Sequence, residues 1–177
     1  MCPERFTAID FETANPRHYS ACQLGIALVE KGEIIEEKSW FIRPPTPTFT
    51  FTDIHGITYN QVRDSLTFRE IWAEVVPYIE GQIIAAHNAR FDESVLLESL
   101  AYYRLPVPSF QVIDSLDVAR KAWPQLKNHQ LHTVAAHLAV ELNHHEALSD
   151  ARVCAAIIAK AAAEHIIVKS SCLRRSG

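Results

Sequence analysis

At 177 residues, with 48% hydrophobic and 21% charged side chains, the chain has the composition of one globular domain able to bury a core. A formal charge of −4 and a pI near 6.1 exclude a protein that coats duplex nucleic acid or anionic membrane by bulk attraction, though not one that grips a few phosphates. Cys2, Cys22, Cys154 and Cys172 form no Cys-x-x-Cys pair, which argues against zinc and a disulfide framework and leads us to expect a reducing cytoplasm.

The first predicted element is a strand from Phe6. Side chains alternate along a strand, so Phe6, Ala8, Asp10 and Glu12 share one face while Thr7, Ile9 and Phe11 share the other. Both faces begin apolar, as in a sheet covered on two sides, and no secretory signal precedes them. Residues 14–21 form a turn-rich loop in which Arg17-His18-Tyr19-Ser20 offers two phosphate contacts. Strands over 22–30 and 34–42, joined by a tight turn at Lys31-Gly32-Glu33, complete an antiparallel meander. Arg43-Pro44-Pro45-Thr46-Pro47 is short of backbone donors and becomes an extended surface loop.

A helix is predicted over 67–81 from Phe68, Ile71, Trp72, Val75, Val76 and Ile79, with Ser65 or Thr67 as N-cap and Pro77 weakening the last turn. Ile83-Ile84-Ala85-Ala86 is a short buried strand, followed by a helix to about Arg104 that Pro106 and Pro108 end. Val112-Ile113 marks another strand, and helices follow over 116–123, 131–138 and 147–165. The stretch 153–168 is broken by Lys160, Glu164 and His165, so it reads as a core helix rather than a membrane span. The expected domain is 1–168, with 169–177 a disordered basic tail. A meander followed by alternating helices and strands predicts an α/β fold with a mixed central sheet.

Asp10 and Glu12 stand on one face of their strand, roughly 6.5 Å apart by strand rise, and like charges so placed repel. A strand leaving the core would explain the pair as well as a shared cation would. Asp92 shares an apolar helical stripe with Val95, Leu96 and Leu100, and Asp150 shares another with Val153, Cys154, Ile157 and Ile158. Each alone suits a first-turn acid that complements the helix dipole. Together, four inward carboxylates without cations would be too costly to desolvate. All-oxygen ligands select hard ions such as Mg²⁺ or Mn²⁺, and two such ions suit hydrolysis of a phosphate ester. His145, five residues before Asp150, is placed to serve as general base, with His144 a competing candidate.

Asp10-Phe11-Glu12-Thr13, His87-Asn88-Ala89-Arg90-Phe91-Asp92 and His145-Glu146-Ala147-Leu148-Ser149-Asp150-Ala151 resemble the three motifs of the DEDD exonucleases, in the subgroup with histidine in the third. The pattern is most similar to the DnaQ-like epsilon subunits of bacterial DNA polymerase III and their free-standing cousins. Ile54-His55-Gly56-Ile57 also agrees, and the resemblance spans residues 6–163. It implies a ribonuclease-H-like five-stranded sheet and 3′–5′ hydrolysis of single-stranded DNA, or of nucleic-acid 3′ ends, to nucleoside 5′-monophosphates. By the same resemblance Asp10 bridges two ions, Glu12 and Asp150 complete one site, Asp92 supports the other through water, and His145 deprotonates the attacking water. Thr13 meets the terminal 3′-OH through its backbone, Ile54, His55 and Phe91 pack on the last nucleotide, and Phe11 and Asn88 lie beside it. Ala14-Asn15 departs from the commonest form, in which Thr or Gly is frequent.

The expected partner is a single-stranded 3′ end, with no membrane. A free-standing trimming enzyme is favoured over a polymerase subunit, and neither a polymerase nor a second copy of the chain is assigned as partner. Two rivals keep the fold: an exoribonuclease, and a binding module without catalysis. A serine hydrolase lacks its Gly-x-Ser-x-Gly elbow, a cysteine hydrolase is disfavoured because Cys22 and Cys154 sit in apolar segments, and a nucleotide-driven motor lacks its phosphate loop.

Overall fold

The strand carrying the first two acids, β1 (Arg5–Thr13), runs through the middle of the sheet in the computed structural model, which describes residues 3–164 and the backbone of 174–175. On one side, β2 (Ala21–Glu30) and β3 (Glu33–Phe41) complete the antiparallel meander. On the other, β4 (Ile83–Ala86) and β5 (Gln111–Asp114) run parallel to β1, giving the order β3-β2-β1-β4-β5. The expected five-stranded mixed sheet is present. A two-residue sixth strand, β6 (Arg174–Arg175), pairs antiparallel with β5, and the rest of the tail expected over 169–177 lies outside the described residues.

Two four-residue helices, α1 (Thr52–His55) and α2 (Tyr59–Val62), fill the long connection after β3. They are too short for an apolar period to announce them, although Thr58 and Gln61 form the capping box of α2. The helix expected over 67–81 is shorter: α3 (Phe68–Val75) opens on a Thr67/Glu70 capping box and gives way to a 3-10 turn at Val76–Tyr78. Pro77 has no N–H to continue the α ladder, which explains the early stop. Of the remaining helices, α4 (Arg90–Tyr103) ends beside the expected Arg104, and α5 (Ser115–Ala122), α6 (Leu131–Leu138) and α7 (Ala147–Ala163) match the expected ones within two residues at each end. No helix of the described residues is long and apolar enough to cross a membrane.

Alternation along β1 divides the core into two layers. Phe6 and Ala8 pack with Val118, Val134, Val153 and Ile157 of α5, α6 and α7. Ile9 and Phe11 pack with Phe68, Ile71, Leu96 and Leu100 of α3 and α4. Each of these fully buried large side chains contributes roughly 1.5–3 kcal/mol relative to exposure, which is why the strand's register is fixed. Asp10 and Glu12 continue the face toward α7. Because β1, β4 and β5 are parallel, the residues following each of them emerge at one edge of the sheet, the usual position of a ligand site in such folds.

Candidate active site

At that edge, ligand oxygens of Asp10, Glu12 and Asp150 lie within 4.8 Å of one another. Asp150 arrives on the first turn of α7, whose start is capped by its own Glu146 and held against β2 by Gln23 and Gly25. Glu146 caps the helix, accepting from the Leu148 and Ser149 amides at 3.3 and 2.9 Å. Gln23 of β2 donates to Glu146 at 3.2 Å and accepts from the Ala147 amide at 3.2 Å. Gly25 of β2 leaves the space that the backbone of Ala147 and Leu148 occupies; a Cβ there would overlap both.

Asp150 Oδ2 faces His144 Nδ1 at 3.2 Å and accepts from the His145 amide at 3.3 Å. Its Oδ1 is buried with no hydrogen-bond partner among the described residues. An ionised oxygen in that position needs a cation or a donor. The neighbouring acids report the same frustration. Burial, then the charges of Asp92, Asp150 and Glu12, holds Asp10 well above the ordinary carboxylate range. Burial and then Asp150 push Glu12 up to about 8. Asp150 is also raised by burial, with His144 opposing. Three hard oxygen donors, mutually repelling and incompletely paired, fit divalent cations of the magnesium or manganese type.

Asp92 belongs to the cluster electrostatically but not by contact. It is 2% exposed, and its Oδ1 accepts from the Phe11 amide at 3.0 Å, so it lies behind the close group rather than in it. Burial raises its pKa and the Phe11 N–H opposes that rise.

The family model RNase_T, described as an exonuclease, matches residues 7–158, and all three acidic motifs fall inside that match. The chain belongs to the RNase T exonuclease family. These are DnaQ-like 3′–5′ exonucleases of the ribonuclease-H-like superfamily, as the motifs implied. The DNA polymerase III PolC-type of Streptococcus thermophilus is 32% identical over 143 residues, 79% of this chain and 10% of the polymerase. The Clostridium perfringens PolC-type polymerase is 28% identical over 159 residues, 88% of this chain and 11% of the polymerase. The chain thus spans about a tenth of the length of the curated relatives it matches. Among solved structures, Exonuclease X in complex with 5′ overhanging duplex DNA superposes with a TM-score of 0.75 at 23% identity, covering 94% of this chain and 96% of that one. The nuclease domain of 3′hExo, a DEDDh family member bound to rAMP, gives 0.76 at 18% identity over 98% and 96%. Both likenesses establish the fold.

Asp10, Glu12 and Asp150 line a cavity of about 630 Å³. Of the residues expected at the site, Phe11, Thr13, Ile54, His55, Asn88, Phe91 and His145 line it with Asp10, Glu12 and Asp150, and Asp92 does not. His55 is tied by both ring nitrogens: Nδ1 accepts from the Ile57 amide at 3.0 Å and Nε2 donates to the Thr13 carbonyl at 3.1 Å. That pairing fixes one neutral tautomer and agrees with a pKa lowered chiefly by burial. His55 therefore joins α1 to the end of β1, with both ring nitrogens engaged.

Asn88 and His145 both adopt left-handed backbone, with φ of 66° each, a strain that clusters at functional sites. The Asn88 amide donates to Asp114 Oδ1 at 3.0 Å, which also caps α5 by accepting from the Leu116 amide at 2.9 Å. Phe91 meets the edge of His18 at 5.6 Å. The histidines of the third motif are separated by their partners. His145 Nδ1 lies 3.7 Å from Glu12 Oε1, His144 takes Asp150, and their rings stack at 3.8 Å. Burial and then His144 hold the His145 pKa below its ordinary value, with Asp150 opposing.

The sequence missed the far wall of the cavity: Leu116 and Arg120 of α5, and Asn128, His129 and Gln130 ahead of α6. A polar, basic run between two helices, Lys127-Asn128-His129-Gln130, was the available signal. Cys22 and Cys154 are both buried, and burial pushes both thiols up, as expected of packing residues rather than nucleophiles.

Proposed function

We propose that this chain is a metal-dependent 3′–5′ exonuclease that trims single-stranded DNA, or nucleic-acid 3′ ends more generally, to nucleoside 5′-monophosphates. The observation that carries this reading is the convergence of Asp10, Glu12 and Asp150 within 4.8 Å in the lining of one cavity, one of their oxygens buried and unpaired. Asp10, Glu12 and Asp150 would hold a pair of Mg²⁺ or Mn²⁺ ions, with Asp92 supporting them from behind. Bound there, the ions would supply Lewis-acid stabilisation of charge on the phosphoryl oxygens.

The protein's own residues do the rest. His145, kept neutral near pH 7 by its lowered pKa, takes the proton from the attacking water through an imidazole nitrogen. Thr13, its carbonyl fixed by His55, orients the terminal 3′-OH through its backbone. Ile54, the His55 ring face and Phe91 stack on the last nucleotide without regard to base, as stepwise trimming requires. The likeness to PolC-type polymerases supports a setting in DNA synthesis or repair in the cytoplasm. The rAMP bound to 3′hExo keeps RNA as the second reading, since the acids do not touch the 2′-OH.

The test is a ladder assay on matched 5′-labelled DNA and RNA strands with Mg²⁺ and with Mn²⁺. Single-nucleotide steps that vanish with chelator and in Asp10→Ala are expected. Activity untouched in Asp10→Ala removes the mechanism, and an intact protein that cleaves neither polymer is a binding module instead.

A further inference from the structure

The cavity has an electrostatic asymmetry that the acidic site leaves unused. Three acids line it, and among its described lining residues Arg120 is the one lysine or arginine. A polynucleotide entering it carries a phosphate at every step, and the acids favour none of them. Arg120 stands one helical turn beyond Leu116 on α5, so both face the cavity. Its guanidinium meets Asp117 at 3.1 Å, one turn back, with both side chains about half exposed. An exposed pair of this kind contributes little, so exchange of that carboxylate for a phosphate is cheap.

The wall around Arg120 is built to stay in place. His87, at the end of β4, donates from Nε2 to the His129 carbonyl at 2.9 Å and accepts at Nδ1 from the Ser115 hydroxyl at 2.9 Å. His129 in turn donates to the Trp123 carbonyl at 2.9 Å. These bonds clamp residues 124–130 onto the sheet and lay α5 and the cavity's polar side together. Strand order sets this wall on the β5 side of the acids, whereas α1, tied to β1 through Ala14 and His55, stands on the β2 side with Ile54 and Phe51. One side suits a base and the other a phosphate.

We infer that Arg120 binds the first phosphodiester on the 5′ side of the scissile one, presenting its planar guanidinium to two phosphate oxygens. The inference rests on the exonuclease reading and assigns a specificity-determining residue within that site. His87 is then a positioning residue for the same wall.

A dinucleoside monophosphate has only the scissile linkage, and the matching trinucleoside diphosphate adds the linkage assigned to Arg120. For Arg120→Gln we expect KM on the trinucleotide to rise about tenfold with kcat little changed, and kinetics on the dinucleotide to stay at the wild-type level. Arg120→Lys should recover part of the loss. A methylphosphonate at the upstream linkage should cost the wild type the same factor and the Arg120→Gln variant nothing further. Equal losses on both substrates, or no loss on either, overturn the assignment. Should the wild type cleave neither short substrate, the ladder assay on long strands decides the exonuclease reading separately. Anisotropy of a labelled trinucleotide then decides Arg120: a tenfold weaker affinity in Arg120→Gln supports the contact and an unchanged one refutes it.

Discussion

The first turns of α4 and α7 each aim an aspartate inward, yet the two side chains are in opposite conditions. Asp92 is sealed from the cavity, and its Oδ1 is satisfied by the Phe11 amide. Asp150 lines the cavity with one oxygen shared by two histidines and the other unpaired. Burial and helix position are alike, so the difference lies in the partners. A first-turn acid supplied with backbone donors is a clip that joins helix to strand, whereas one left short of donors is poised for a cation.

The largest effect should come from the unsatisfied acid. Asp150→Ala is expected to cut turnover by at least about 10⁴-fold, as loss of Lewis-acid stabilisation worth several kcal/mol would. Thermal melts of the same variant without metal should show no loss of stability, or a gain, because a buried repulsion is gone; a marked fall would make Asp150 a clip like Asp92. His145→Ala should lower turnover by about 10²–10⁴-fold. The metal-induced rise in Tm should survive in that variant, and its disappearance would recast His145 as a ligand.

Asp92→Ala sharpens the contrast from the other side. Leaving the buried Phe11 N–H without its acceptor should cost about 1–3 kcal/mol in the metal-free protein, read from denaturant midpoints. An unchanged midpoint would dissolve the distinction between the two turns.

The pH dependence follows from Glu12, raised from 4.5 to about 8 by burial and by Asp150. Folding favours its protonated form, so its contribution to metal-free stability is complete below pH 4.5 and lost as pH climbs toward about 8. Cations compete with that proton, so metal affinity and the metal-induced shift in Tm should both grow over the same window. Titration calorimetry at pH 6 and pH 8 in buffers of different ionisation enthalpy should show proton release on binding, and a pH-independent affinity would contradict the assignment. The smallest effect is expected at Glu146, where Ala removes the cap of α7 for about 0.5–2 kcal/mol.

Periodicity made most of this legible in the sequence. Phe6 and Ala8 against Ile9 and Phe11 revealed a strand covered on both faces, and the stripes around Asp92 and Asp150 showed that both acids turn inward. Spacing says which way a side chain points but not what meets it, so the division between Asp92 and Asp150 was hidden. The left-handed backbone at Asn88 and His145 was hidden for a related reason, since neither is the glycine that would announce it. The wall bearing Arg120 comes from a helix and a loop with no repeating pattern, and only the sheet order brings them to the acids.

Gly25 carries no functional group and lies far along the chain from the histidines, yet the first turn of α7 rests where its side chain would have been. A single methyl at that position would act as a wedge, tilting Asp150 and His145 away from Asp10 and Glu12 while every ionisable group remained in place. The acidic cluster is thus calibrated by an omission, and a change chemically silent in itself would leave the protein fully equipped and badly aligned.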